Sequence, residues 1–270
     1  MSRLSSTVSL LQGLRKKALV TYIVAGDPEQ STTVPLMHKM VATGVDIIEL
    51  GVPFSDPEAE GPVIQLAHER ALRSRTSLLD VLQMVAEFRS KDQSTPVVLM
   101  GYLNPIEKMG YEHFSKRAAD CGIDGTILVN LPPEEANDLS FFLQKYDIEP
   151  VYLLAPTTTA ERAAKICAQC QGFVYYVSLK GTTGAGSLNV LEVSEKVSAL
   201  KAIANLPLFV GFGIDNGETA AAVASVADGV VVGSAIVDLM AVHEVDPALL
   251  EESVVGLTRE IRSAIDAITP

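Results

Sequence analysis

The chain has 270 residues, of which 48% are hydrophobic, and its formal net charge is −12. This charge argues against a nucleic-acid partner, because phosphate contacts need clustered Lys and Arg, although backbone N–H groups leave a small anionic ligand possible. No apolar run approaches the roughly 18 residues of a membrane span, and the N-terminus lacks the apolar core of a secretory signal. We therefore expect a cytoplasmic protein.

One pattern repeats along the chain: a short apolar run, a turn with Gly, Pro or Asp, and a helical stretch. The apolar runs predict eight strands, over residues 18–25, 46–52, 96–102, 125–131, 150–155, 173–179, 207–212 and 228–232. Helices are predicted over residues 4–16, 31–42, 78–90, 106–121, 133–145, 159–169, 191–204, 217–225 and 247–268. Ser31 is the expected N-cap of its helix, and Glu134 and Glu135 are expected in the first turn of theirs.

The alternation of strands and helices predicts the fold class. Strands separated by helices form parallel βαβ units, and eight of them favour a closed (β/α)₈ TIM barrel over an open sheet. The helix over residues 4–16 precedes the first strand and is therefore extra. No linker or low-complexity stretch interrupts the pattern, so residues 1–270 are expected to form a single domain. In such barrels the active site lies at the carboxyl ends of the strands.

A carboxylate stands inside the second predicted strand. Glu49 lies within the apolar run 46–52, and strands of a parallel sheet are covered on both faces. A core salt bridge is one interpretation, but an unpaired buried Glu is rare enough to favour a chemical role. Glu60 follows in a Pro- and Gly-rich loop. The two acids suit general acid/base chemistry, whereas Glu58 is expected only to solubilise the loop.

Three glycine-rich turns follow the last three predicted strands, over residues 181–186, 211–217 and 233–236. Barrels commonly bind phosphate with the loops after strands seven and eight and a helix N-terminus, and glycine lets the backbone approach closely. These turns could simply connect strands to helices, but three in succession favour a phosphate-bearing substrate. Apolar and aromatic side chains near strand ends could form a slot for a flat ring beside it: Tyr22, Met100, Tyr102, Ile127, Tyr175 and Phe212.

The chain has three cysteines, Cys121, Cys167 and Cys170. The last two form a C-x-x-C pattern, which occurs in redox and zinc sites. One pair cannot complete a tetrahedral zinc site, so we expect reduced thiols and no bound metal.

Several segments together resemble a known family. Residues 49–57 (E-L-G-V-P-F-S-D-P) and 59–65 (A-E-G-P-V-I-Q) are similar to the signature of the α subunit of tryptophan synthase. The resemblance covers essentially the whole chain. It includes residues 25–28, 102–105, 131–135, 181–184, 211–214 and 233–237.

The resemblance implies a TIM barrel that cleaves indole-3-glycerol phosphate to indole and glyceraldehyde 3-phosphate. It implies that Glu49 is the general acid/base and that Glu60 faces the indole nitrogen. The implied substrate-binding residues are Tyr22, Ile64, Met100, Ile127, Tyr175, Thr183, Gly184, Phe212, Gly213, Gly233 and Ser234.

The resemblance also implies a partner and no cofactor or metal in this chain. The expected partner is the β subunit, which carries pyridoxal phosphate, in an α₂β₂ assembly that passes indole between sites. Residues 53–60, Asn104 and residues 180–187 are expected to meet this partner or to close over substrate.

Two residues depart from the family pattern, which usually has Asp at the positions of Glu60 and Asn130. Two alternatives therefore stay open beside the lyase. One is another barrel enzyme acting on a sugar phosphate. The other is a catalytically weak, ligand-binding allosteric partner of the β subunit.

Overall fold

The structure is a computed structural model that describes residues 2–177, 190–211 and 213–268. Within these residues the chain forms nine strands, all paired in parallel. They are β1 (Ala18–Val24), β2 (Ile47–Gly51), β3 (Val97–Gly101), β4 (Gly125–Leu128), β5 (Glu149–Pro150), β6 (Leu153–Leu154), β7 (Val174–Val177), β8 (Leu208–Gly211) and β9 (Gly229–Val232).

The strands curl into a barrel whose order is β5-β4-β3-β2-β1-β9-β8-β7-β6. The two ends of this order are joined by the chain itself, because only Val151 and Tyr152 separate β5 from β6. The Val151 N–H donates to Thr126 O on the β4 side (2.9 Å), and the Tyr175 N–H donates to Tyr152 O on the β7 side (3.3 Å). The predicted fifth strand therefore exists as two short pieces that share the task of closing the barrel.

Helices surround the strands within the described residues. They are α1 (Arg3–Gly13), α2 (Gln30–Ala42), α3 (Pro62–Arg73), α4 (Leu78–Arg89), α5 (Leu103–Met109), α6 (Tyr111–Cys121), α7 (Asn137–Lys145), α8 (Ala160–Cys167), α9 (Val190–Lys201), α10 (Gly217–Ala224), α11 (Ser234–Val242) and α12 (Pro247–Ala267). A 3₁₀ turn, Pro133–Glu135, precedes α7. In this part of the chain no helix combines the length and apolarity that a bilayer crossing requires.

Helix α1 closes the amino-terminal end of the barrel. Its buried Leu4, Val8 and Leu11 share a core cluster with Phe173, which directly precedes β7, and Phe209 of β8, whose rings stack at 4.3 Å. A Cβ at Gly125 would lie 3.1 Å from the Leu4 side chain, so the glycine makes room for this plug. The prediction of an extra leading helix is confirmed, and the open end of the barrel is the carboxyl end.

Several predicted boundaries were wrong for identifiable reasons. Helix 106–121 is two helices because Gly110 has φ +88°, a conformation that suits glycine and breaks the helix. The N-cap of α2 is Glu29 rather than Ser31, and Glu134 and Glu135 lie in the 3₁₀ turn. The strand over 125–131 ends at Leu128, where the Leu131 N–H donates back to Leu128 O in a turn.

Two helices were not predicted. Helix α3 follows the signature loop, with Pro62 at its first position, and buries Ile64, Ala67, His68 and Ala71 on one face at helical spacing. Helix α11 begins at Ser234, within the glycine-rich turn predicted over residues 233–236. Both pack on β1 and on each other, so they cover the side of the barrel that carries Tyr22.

Candidate active site

Glu49 is the central residue of β2 and faces the barrel interior. Its neighbours in the sheet are Tyr22 on β1 and Val98 on β3, and the residue is only 1% exposed. Within the described part of the chain neither carboxylate oxygen has a hydrogen-bond partner. A core salt bridge, the alternative interpretation of this residue, is therefore not found among those residues. Burial, with a smaller contribution from the charge of Glu60, raises the pKa of Glu49 to about 8.

Glu60 lies at the end of the loop after β2 and is partly buried. Burial raises the pKa of Glu60 to about 7, and its charge in turn raises the pKa of Glu49. The two acids therefore act as an interacting pair near neutral pH. Glu58, two residues earlier, is exposed, as expected for a residue that only solubilises the loop.

Two tyrosines, Tyr22 of β1 and Tyr175 of β7, line the site. A Cβ at Gly51 would lie 2.4 Å from the Tyr22 hydroxyl, and a Cβ at Gly211 would lie 2.3 Å from the Tyr175 hydroxyl. Each ring thus leans over a strand-end glycine that leaves space for it. Burial raises the pKa of both phenols well above the usual value, and the charges of Glu49 and Glu60 raise them further. Both hydroxyls therefore lie near the acid pair.

The predicted apolar residues lie around the same space. Ile64 of α3 packs against Tyr22 in a small buried cluster, which Met100 contacts from β3. Ile127 of β4 belongs, with Tyr175, to the cluster that fills the barrel. Phe212 lies outside the described residues.

The predicted phosphate site is described in part. Strands β8 and β9 are neighbours, so Gly213 after β8 and Gly233 after β9 lie at adjacent strand ends. Gly213 has φ +41°, and among the described residues no atom lies within 4 Å of a Cβ built on it. Gly233 is the N-cap of α11, and Ser234 is its exposed first residue. Thr183 and Gly184 lie outside the described residues.

The loop that carries Glu60 is anchored at several points. The Ala59 N–H donates to the Tyr102 hydroxyl (3.1 Å), and the Phe54 ring stacks on Tyr102 at 4.9 Å. The Gln65 side-chain amide donates to Glu60 O (2.9 Å). Burial raises the pKa of Tyr102 to about 12, so this anchor stays neutral.

Asn104 and Asn130 also meet at this end of the barrel. The Asn130 amide donates to Asn104 Oδ1 (3.3 Å), and its own Oδ1 accepts the Leu103 N–H (2.8 Å). Asn104, expected in a loop, lies instead in the first turn of α5. Asn130 is exposed and thus joins two elements at the rim of the site.

The cysteines are outside this site. Cys170 is buried, accepts the Tyr152 N–H (3.2 Å) and donates to Phe173 O (3.0 Å). Burial raises the pKa of its thiol to about 12, which makes it unreactive. All three cysteines are free, as predicted. Among the described residues, no three His, Cys, Asp or Glu side chains are grouped so that they could hold a metal ion.

One site residue was missed by sequence reasoning. His68 of α3 is 2% exposed and contacts both Tyr22 and the backbone of Phe54. Its only sequence signal is its spacing of four residues from Ile64 on one helix face. Helix α3 is itself fixed by a buried bidentate ion pair in which Arg70 donates to Asp27 at 2.6 and 2.9 Å.

Comparison with known proteins agrees with this geometry. Residues 9–265 match the family model described as tryptophan synthase alpha chain. The tryptophan synthase alpha chain of Acinetobacter baumannii is 52% identical over 268 residues, which cover 99% of this chain and 100% of that protein. That of Thioalkalivibrio sulfidiphilus is 55% identical over 266 residues, with 98% and 100% covered.

Solved structures share the barrel. The crystal structure of the tryptophan synthase alpha chain from Legionella pneumophila subsp. pneumophila has a TM-score of 0.91 and 47% identity, covering 99% of this chain and 98% of that one. Tryptophan synthase from M. tuberculosis in its aminoacrylate-bound form has a TM-score of 0.85 and 32% identity, covering 98% and 100%. The predicted TIM barrel is confirmed, and the chain belongs to the tryptophan synthase alpha chain family.

Proposed function

We propose that this chain acts as the α subunit of tryptophan synthase, a carbon–carbon lyase of L-tryptophan biosynthesis. The reaction is the retro-aldol cleavage of indole-3-glycerol phosphate to indole and glyceraldehyde 3-phosphate. The observation that carries this proposal is Glu49, a carboxyl group without a described partner, fully buried beside a second acid at the open end of the barrel. Such a group costs stability and is retained where chemistry uses it.

Glu49 is proposed as the general acid and then the general base. A pKa of about 8 keeps its carboxyl protonated at neutral pH, so it can give its proton to C3 of the indole ring. The resulting carboxylate takes the proton of the adjacent glycerol hydroxyl as the C–C bond breaks. The hydroxyl carbon becomes the aldehyde, the bonding electron pair returns to the indole ring, and Glu49 ends protonated as it began.

Glu60 is proposed to stabilise the positive charge that forms on the indole nitrogen when C3 is protonated. A carboxyl group with a pKa of about 7 is substantially ionised at neutral pH, so Glu60 can supply this negative charge. Glutamate reaches farther than the family's usual aspartate. The anchors of the loop at Ala59 and at Glu60 O are what would hold this longer side chain in place.

The remaining predicted residues are proposed to bind substrate. Tyr22, Ile64, Met100, Ile127, Tyr175 and Phe212 would enclose the indole ring. Gly213, Gly233 and Ser234, with Thr183 and Gly184, would bind the phosphate through backbone amides and hydroxyls at the start of α11.

The proposal extends to the assembly. A β subunit carrying pyridoxal phosphate is the proposed partner in an α₂β₂ heterotetramer, while this chain uses no cofactor or metal of its own. The loop 53–60 and the Asn104–Asn130 pair lie at the carboxyl end of the barrel, where a partner would receive indole. A single working domain over residues 1–270 and a cytoplasmic location remain predictions.

The test is direct. Purified chain is given indole-3-glycerol phosphate, and indole is measured with and without a β subunit. We expect release by the chain alone that rises when the β subunit is present. Stimulation of the β subunit without any indole release would favour the allosteric-partner alternative, and absence of both would contradict the proposal.

A further inference from the structure

His68 links the loop that carries Glu60 to the wall of the site. It lies on the buried face of α3, and its two ring nitrogens contact different elements. The Phe54 N–H, at the start of the loop, donates to His68 Nδ1 (3.0 Å). On the other side, His68 Nε2 lies 3.5 Å from the Tyr22 hydroxyl, a long hydrogen bond.

The first contact fixes the tautomer of the ring. A backbone N–H can only donate, so Nδ1 must accept and carries no proton. Burial lowers the pKa of His68 to about 4, which keeps the ring neutral at neutral pH. A neutral imidazole without a proton on Nδ1 carries it on Nε2. His68 therefore donates to the Tyr22 hydroxyl.

The second contact then orients Tyr22. Its hydroxyl oxygen accepts from His68, so its own proton is free to point elsewhere. That oxygen lies over Gly51, two residues beyond Glu49 on the same strand, and thus on the same inward face. Tyr22 is also the register neighbour of Glu49, and the charges of Glu60 and Glu49 add to the effect of burial in raising the pKa of its phenol, so the hydroxyl lies on the side of the two acids.

We propose that His68 is a positioning residue, which holds Phe54 with one nitrogen and aims the Tyr22 hydroxyl proton at the reacting substrate with the other. The proposal rests on the proposed lyase function, in which Tyr22 lines the indole site next to Glu49. The bidentate pair Arg70–Asp27 keeps the helix that carries His68 from shifting. The His68 side chain in this way holds both Phe54, at the start of the loop that carries Glu60, and Tyr22.

Two variants separate the two contacts. His68→Asn keeps an acceptor near the position of Nδ1 and loses the donor to Tyr22. His68→Gln keeps a donor near the position of Nε2 and loses the acceptor for Phe54. We expect His68→Asn to lower kcat about tenfold, or roughly 1.4 kcal/mol. His68→Gln should retain at least twice the kcat of His68→Asn, with its larger effect on KM because the loop is loosened.

A double-mutant cycle with Tyr22→Phe tests the coupling. In the Tyr22→Phe background, His68→Asn should change kcat less than twofold, because the hydroxyl it serves is absent. Fully additive effects would overturn the proposal. Thermal unfolding and binding of glyceraldehyde 3-phosphate report whether each variant is folded. If His68→Asn fails these checks, His68→Ala, which also removes the donor to Tyr22, takes its place in the cycle.

A spectroscopic measurement keeps this inference separable from the proposed function. The ¹⁵N spectrum of the intact chain, with His68 assigned by comparison with His68→Asn, reports the tautomer whether or not indole is released. We expect a neutral ring protonated at Nε2 from pH 5.5 to 8, with a shift at Nε2 in Tyr22→Phe. A ring protonated at Nδ1, or one that titrates near its ordinary pKa of 6.5, would overturn the assignment. Failure of indole release with this tautomer present would contradict only the lyase function.

Discussion

The acidic side chains at the two ends of the barrel differ in their partners. At the amino-terminal end, an aspartate precedes each of three strands and accepts the N–H of a residue at the start of the neighbouring strand. Asp46 accepts from Leu19, Asp124 from Val97 and Asp228 from Leu208, at 2.8 to 2.9 Å. Each also pairs with a cation, respectively Arg262, Arg89 and Lys201. At the carboxyl end, Glu49 has no partner among the described residues.

This difference separates stability from chemistry within one sheet. The paired aspartates hold neighbouring strands in register, and their charges are compensated where they are buried. Glu49 is left uncompensated, so its proton is retained up to mildly alkaline pH. The same chemical change, acid to amide, should therefore have opposite consequences at the two ends.

The largest effect is expected for Glu49→Gln on catalysis. The amide cannot exchange a proton with C3 or with the glycerol hydroxyl, so kcat should fall at least 1,000-fold, about 4 kcal/mol of barrier. Glyceraldehyde 3-phosphate should still bind within about twofold of wild type, because the phosphate loops are unchanged. Steady-state indole release measures the first and calorimetry the second. A variant that keeps more than a tenth of wild-type kcat would contradict the assignment.

Glu49→Gln should at the same time stabilise the fold at alkaline pH. The folded pKa of about 8 exceeds the ordinary 4.5, so between these values the native chain holds a proton that the unfolded chain has released. The stability of the wild type is therefore complete below pH 4.5 and declines as the pH rises through 8. As the pH is raised from 5 to 8.5, the free energy of unfolding of the variant should increase by about 2–4 kcal/mol relative to that of wild type. Urea unfolding at each pH measures this difference. If the difference in the free energy of unfolding between the variant and wild type stayed constant across this pH range, the raised pKa of Glu49 would be contradicted.

The matched change at the other end is Asp124→Asn. The Asp124 side chain is buried, with 2% exposure. Its carboxylate forms ion pairs with Arg89 at 2.6 Å and Arg3 at 2.9 Å, and it accepts the Val97 N–H at 2.8 Å. Loss of its charge leaves the buried Arg89 guanidinium uncompensated, so the free energy of unfolding should fall by about 3 kcal/mol. Well below the melting temperature, kcat should stay within twofold of wild type. A large loss of kcat in the folded variant would show that the two ends are not separable.

A smaller and graded effect is expected at Glu60. Glu60→Gln removes the charge opposite the indole nitrogen and should lower kcat about 100-fold, roughly 2.7 kcal/mol. Glu60→Asp keeps the charge on a shorter side chain and should stay within about tenfold. The control is Glu58→Gln on the same loop, which is exposed and should be nearly silent. If Glu60→Gln matched this control, Glu60 would have no catalytic role.

Sequence reasoning found the barrel because its signals are local. Apolar runs mark strands, and a single acid inside one of them identified Glu49 before any contact was known. It failed where the outcome depends on neighbours. The fifth strand divides because its two halves pair with β4 and β7, and helix α3 was missed beside a Pro- and Gly-rich loop. The role of His68 depends on Phe54 and Tyr22, which no spacing in the sequence brings together.

The most direct test is the protonation state of Glu49 itself. Infrared difference spectra between wild type and Glu49→Gln, recorded without substrate, isolate the C=O stretch of this carboxyl group. The uncompensated buried acid predicts a protonated carboxyl band at pH 6 that disappears as the pH rises through about 8. A carboxylate already ionised at pH 6, with a titration near the ordinary 4.5, would contradict the view that the open end of the barrel holds its acid unpaired for proton transfer.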